Sequence, residues 1–222
     1  MLLATVLALS GCGVAPDGGS APGDEAPGIL RADATPGPDA VTRPQWRIGD
    51  KFTFRRGAST ISTEVVSAGP EGYRLRDLAA GVELLYDVDL AELGQDTPKE
   101  PRYRLAMAPG DPREHWPLWT GKRWEAEVAL RVPGLAPRLL RLSYECDAKE
   151  TLRVPAGEFE CYRIWRRSRS ARGDRDDETV SVHWYAPKIG HFVKRLENGV
   201  LLELESWKRG PQAADSPDPK RR

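Results

Sequence analysis

The chain predicts an all-β fold, an antiparallel meander closing into a β-barrel or half-barrel, and three observations predict it. Apolar and polar residues alternate with a period of two through much of residues 46–207, which is the pattern of a strand with one face buried and one face wet. Gly-, Pro- and Asn-Gly-containing turn signals recur between these runs. No segment carries three turns of amphipathic helical periodicity. A two-sheet β-sandwich fits the same pattern and is the alternative. Closure is preferred because it leaves no exposed strand edge.

Taken in order, residues 46–54 alternate Trp46/Ile48 and Phe52/Phe54 with polar neighbours, and Gly49-Asp50 reads as a bend. The β-branched run 60–66 is a strand, Gly69-Pro70-Glu71-Gly72 a turn, and 73–78 its return. Ala79-Ala80-Gly81 turns again into 82–88. Residues 90–93 read as one helical turn and 103–107 as a short strand. Residues 124–132 are the clearest strand: Trp124, Ala126, Val128, Leu130 and Val132 point one way and Arg123, Glu125, Glu127 and Arg131 the other. Residues 139–154 are two strands or one bent one, and 159–168 return after Val154-Pro155-Ala156-Gly157. A charged tip at 170–178 separates them from strands at 179–186, 192–197 and 200–207. Asn198-Gly199 is the strongest hairpin signal, since a type I′ turn needs positive φ at both central residues. That turn places Lys194 opposite Glu203. About ten strands are expected from these runs.

Pro117-Leu118, Gly121-Lys122 and Trp124, then Val154 to Phe159, then Trp184-Tyr185-Ala186-Pro187 with Gly190 and Val193-Lys194, occur in that order. On these motifs residues 46–207 resemble the TapB-like family of bacterial envelope proteins, a domain of unknown function. The resemblance implies an exported, mainly antiparallel barrel-like domain. It brings no catalytic residues.

The N-terminus reads as an anchor and a tether. An apolar stretch runs into Leu9-Ser10-Gly11-Cys12, which resembles a bacterial lipobox. Residues 1–11 are then a lipoprotein signal peptide, and the Cys12 thiol takes a diacylglyceryl group, with further acylation (palmitate among the chains) after cleavage. Several acyl chains, at about 0.8 kcal/mol per buried CH₂, anchor a protein stably. No Lys or Arg precedes the apolar stretch, so the start codon is expected upstream. Gly13 after the cysteine favours the outer membrane. Residues 12–45, rich in Gly, Pro, Ala and Asp, are expected to be the lipidated Cys plus a flexible tether. Residues 46–208 are the β domain and 209–222 a disordered tail.

Bulk composition excludes several functions. Lys+Arg and Asp+Glu are equal at 33 each, so no basic field exists to attract nucleic acid. No Walker loop, nucleophile elbow or dinucleotide fingerprint is present. His115, His183 and His191 lack metal-site spacing, and no metal or cofactor is expected. Cys146 and Cys161 would meet an oxidising compartment, where a disulfide is allowed. If the turn centres on Ala156-Gly157, Cys161 opposes Leu152 and the thiols sit roughly 20 Å apart along the strand, beyond bridging distance unless the chain reverses near residues 147–149. A bridge and two buried thiols both remain open. Arg163, Arg166, Arg167, Arg169, Arg172 and Arg175 form a basic stripe that Asp174, Asp176, Asp177 and Glu178 largely neutralise. Trp116, Trp119, Trp124, Trp165 and Trp184 either fill the barrel or line an apolar pocket.

The expectation is a monomeric, non-enzymatic lipoprotein of the cell envelope. It would be anchored in the membrane by its lipid, facing periplasm or cell surface, and would bind an envelope partner or serve in an assembly. The alternative is a carrier or sensor of an apolar, lipid-like ligand held in the barrel interior. A hydrolase is the third class, to be recognised by a histidine clustering with a carboxylate in a cleft.

Overall fold

A computed structural model describes residues 27–97, 105–171 and 178–211. It contains thirteen strands: β1 (Ile29–Ala32), β2 (Lys51–Arg56), β3 (Ser59–Gly69), β4 (Gly72–Asp77), β5 (Glu83–Tyr86), β6 (Glu92–Asp96), β7 (Leu105–Asp111), β8 (Arg123–Arg131), β9 (Arg138–Val154), β10 (Gly157–Ser170), β11 (Thr179–Ala186), β12 (His191–Glu197) and β13 (Val200–Lys208). Strands β2 to β13 pair in sequence order, each antiparallel to the next, and β13 pairs back onto β2. The result is a closed twelve-stranded up-and-down barrel with β1 added outside the ring. The all-β expectation and its closure are met. The hairpin at Asn198-Gly199 also falls as expected, with Lys194 opposite Glu203 and their side chains 3.5 Å apart. Both Asn198 and Gly199 carry the positive φ that the turn demands.

Several local expectations change. Residues 90–93 are not helical: the Asp87 carboxylate accepts the backbone N–H groups of Asp89 and Ala91 at 2.8 Å, an Asx-type turn that puts Leu90 at positive φ and launches β6. The expected strand at 103–107 starts at Leu105, its first residues lying outside the described ones. The turn between β9 and β10 centres on Pro155-Ala156, with Gly157 opposite Val154, so Cys161 faces Glu150 and not Leu152.

The expected tether ends sooner than residue 45. Ile29, Arg31 and Ala32 pair with β8, and Val41 bridges Leu118. The carboxylate of Asp39 accepts the N–H and hydroxyl of Thr120, and its carbonyl accepts the Tyr162 hydroxyl. Such a segment buries little apolar surface, but free edge groups on the barrel supply backbone partners that composition does not reveal. Residues 1–26, with the expected signal peptide and the expected lipidation site at Cys12, lie outside the described residues, as do 172–177 of the charged tip and 212–222 of the tail. The start of the expected tail is fixed: fully buried Asp50 accepts the Gly210 N–H at 2.8 Å and Arg209 Nη1 at 2.9 Å. Its bond to Arg47 N closes the Gly49-Asp50 bend.

Two apolar clusters fill the barrel. The first joins Trp46, Phe52, Phe54, Val65, Leu75, Phe159, Ile189 and Leu204. The second joins Leu118, Trp124, Val128, Leu142, Tyr144, Tyr162 and Ile164.

Candidate functional site

The charged groups of the interior gather around β7 and the loop that follows it. Asp111 closes β7, and Pro112 ends the ladder because it has no N–H to give. Asp111 is completely buried. It accepts Arg166 Nε at 2.9 Å and the Tyr144 hydroxyl, and Arg113 Nε lies 3.7 Å away. Arg113 continues the network to Glu197 (3.0 Å) and Glu92 (3.3 Å). Burial alone would raise the Asp111 carboxyl, yet Arg113 and Arg166 outweigh it and hold the group below the usual carboxylate range. Burial also opposes ionisation of Glu197, and Arg113 and Arg195 bring it down to about 2. Burial opposes the Arg113 charge too, and Asp111, Glu197 and Glu92 more than restore it. One ion-paired network thus ties β6, β7, β10 and β12 together through the barrel.

Glu114 leads outward from this network. Its Oε1 lies 3.0 Å from His183 Nε2, and His183 is 2% exposed. His191, also buried, stacks on Trp46 with centroids 5.2 Å apart, and burial brings its pKa down to about 4. Arg113 Nη1, His183 Nδ1, His191 Nε2 and the Ser181 hydroxyl are buried without a hydrogen-bond partner. A cavity of about 30 Å³ touches Arg113, Glu114, His191 and Tyr86. That volume fits a water and no organic ligand. On its other side Glu114 lines an open groove of about 410 Å³, walled by Pro27 to Ile29, Asp87, Asp89, Pro109, Pro112, His115 and Trp116. The groove is of ligand size.

The motif Pro117-Leu118…Gly121-Lys122…Trp124 lies behind the groove, where Lys122 holds the loop that carries groove-lining His115 and Trp116. Lys122 is 1% exposed. Its ammonium lies 2.9 Å from His115 Nδ1 and donates to the carbonyls of His115 (2.8 Å) and Pro117 (2.6 Å). It also sits 4.4 Å from the centroid of Trp119. Burial lowers Lys122 to about 8; burial and the Lys122 charge also lower His115. Gly121 takes φ 93°, where a side chain would be strained. In the other motif Gly190, φ 72°, gives its carbonyl to Trp46 Nε1 at 2.7 Å.

The five tryptophans do not form one pocket. Trp124 stacks on Tyr144 inside the second cluster at 5.0 Å between centroids. Trp119 covers Lys122, and Trp116 lines the groove. Trp165 and Trp184 lie on the outer face, where their indole N–H groups donate to Asp147 and Glu150. Alternation along β10 and β11 puts them opposite core-facing Ile164 and Tyr185. The basic stripe is divided by the same alternation: Arg166 enters the network, while Arg163 pairs with Asp147 outside.

Cys146 and Cys161 are free, buried thiols, and burial raises each to about 12. Cys146 opposes Ile164 and Cys161 opposes Glu150. The four-residue offset along β9 separates them by roughly 13 Å, too far for a bridge. Each packs in a different apolar cluster. The Asp111–Arg166 network was missed at sequence level. The one available signal was Arg166, a charge at an inward position of an alternating strand.

Comparison with known proteins adds the fold. No family model matches the chain, and no curated protein matches it. The barrel is similar to the hypothetical lipoprotein YmcC from Escherichia coli K12, with a TM-score of 0.51 and 12% identity over 76% of this chain and 91% of that one. The two share a fold. Weaker likenesses connect it to a protein of Bacteroides fragilis with a YmcC-like fold (TM-score 0.39, 15% identity, 77% of this chain and 100% of that one). Another is a protein of Parabacteroides distasonis (0.38, 11%, 77% and 100%).

Proposed function

We propose that the chain is a lipoprotein of the cell envelope whose barrel is a non-enzymatic scaffold, offering its outer surface and lateral groove to an envelope partner. The observation that carries this reading is the filled interior. Two apolar clusters and an ion-paired network occupy it among the described residues, and the cavity beside the network measures about 30 Å³. A carrier of a lipid-like molecule needs an internal volume ten times larger or more, so binding belongs to the outside. The lipobox at Cys12 and the TapB-like motifs support an exported, anchored chain. Glu114 and His183 have the spacing of an acid–base pair, but His183 is sealed behind Glu114, and none of the described serines or cysteines lies within hydrogen-bond distance of His183. That favours a structural role for the pair.

Two measurements test the reading. Intact mass of the native protein should show acylated Cys12, and an unmodified thiol would contradict it. Photo-crosslinking from Trp116, on the groove, should give one discrete adduct in cells. No adduct from Trp116, nor from Trp165 on the outer face, would remove the partner.

A further inference from the structure

Strand β8 is edged by two different neighbours. Along one side it pairs with β9 over residues 123–130. On the other, β7 pairs with residues 129–131 and then turns away, so that Asp111 meets Glu92 of β6. The rest of that edge is taken by β1, which stands outside the closed ring. Glu127 N donates to the Gly28 carbonyl at 2.8 Å and Asp33 N to the Arg123 carbonyl at 3.0 Å. Side chains add little burial, though the Asp33 carboxylate accepts the Arg123 N–H at 2.8 Å. Ile29 and Leu30 remain 46% and 36% exposed. Arg31 meets Glu125 on the surface, and Ala32 alone packs on the second cluster. β1 is therefore held mainly by backbone hydrogen bonds, which any extended segment can supply, and its removal leaves the barrel closed. It also forms one wall of the groove.

We propose that β1 is a displaceable strand and that the β8 edge from Arg123 to Glu127 is a docking site for an extended segment of a partner protein, added antiparallel to the sheet. The inference rests on reading the chain as a partner-binding lipoprotein and names the surface involved. β1 itself states the chemistry of the occupant. The incoming strand carries a basic residue opposite Glu125 and a small apolar residue opposite Trp124, the places of Arg31 and Ala32. Unpaired backbone on an edge invites such pairing, and weakly buried strands open at low cost.

The test uses the full chain with C12S and a dye-labelled peptide carrying the sequence of residues 27–33, followed by fluorescence anisotropy. R31P deprives β1 of an N–H and of its ion pair while sparing the ring, so the peptide should bind R31P saturably and at least tenfold more tightly than the parent. The double variant I29C/A126C, disulfide-locked across directly opposed residues, should bind at least tenfold more weakly than R31P. Equal binding to locked and R31P chains, or no binding to an R31P chain whose circular dichroism is unchanged, overturns the proposal. Mixed dimers of R31P and parent chains would give the edge to a second copy and overturn its assignment to a different protein. The peptide needs neither membrane nor natural partner, so its failure removes this edge and leaves the lipoprotein reading to its own tests.

Discussion

Two cations of the barrel, Arg113 and Lys122, are neutralised in opposite ways. Arg113 shares its charge with Asp111, Glu92 and Glu197, whereas the Lys122 ammonium meets two carbonyls, an imidazole and the face of Trp119. The protonation tendencies follow: Arg113 is pushed above its ordinary value and Lys122 falls to about 8. A forked guanidinium bonds several carboxylates at once, while an ammonium suits a compact cage of dipoles. The reach differs as well. The arginine network spans strands across the barrel, and Lys122 gathers a single loop.

The comparison can be broken most directly at Asp111. D111A leaves Arg113 and Arg166 with less neutralising charge in the interior, and urea unfolding should show a loss of about 3–5 kcal/mol. A loss below about 1 kcal/mol would mean that the network relaxes or hydrates freely.

Acid sharpens it next. His191 beside the network titrates at about 4 when folded against 6.5 for the ordinary group. A depressed folded value means the unfolded chain binds more protons between these limits, so the stability contributed by neutral His191 is present above pH 6.5 and lost as pH falls toward 4. The loss is at most about 3 kcal/mol at 1.36 kcal/mol per unit, and H191F should flatten that part of the curve. Glu197 adds its own fall below pH 4.5, toward about 2.

Lys122 should respond in the alkaline range and more weakly. Its folded value near 8 lies below the ordinary 10.5, so the parent should gain stability relative to K122M as pH rises from 8, by about 1.6 kcal/mol at pH 9.5. At pH 7, K122M should cost about 1–2 kcal/mol through the lost bonds that shape the 115–122 loop. Smallest of all, K194A should cost a few tenths of a kcal/mol, because the pair with Glu203 is wet.

The outward half of this architecture was legible in sequence, and the inward half was not. Period-two alternation gave the strands, and Asn198-Gly199 gave a register that places Lys194 opposite Glu203. The β9–β10 register was displaced because Val154-Pro155-Ala156-Gly157 accommodates more than one turn centre. The Asp111 network joins residues far apart in sequence that no local pattern relates. β1 escaped notice because its order comes from an edge supplied by β8, and its own composition argues for a tether. Trp165 and Trp184 read as pocket residues by type, but strand alternation turns them outward to Asp147 and Glu150.

A filled interior is what leaves binding to the outer face of this barrel. Native mass spectrometry of the barrel, purified without detergent, measures that directly. A filled barrel gives the mass of the polypeptide alone for the unlipidated chain. A co-purifying apolar molecule, retained by the parent and lost on widening Trp124 to Ala, would show a hollow barrel and contradict it.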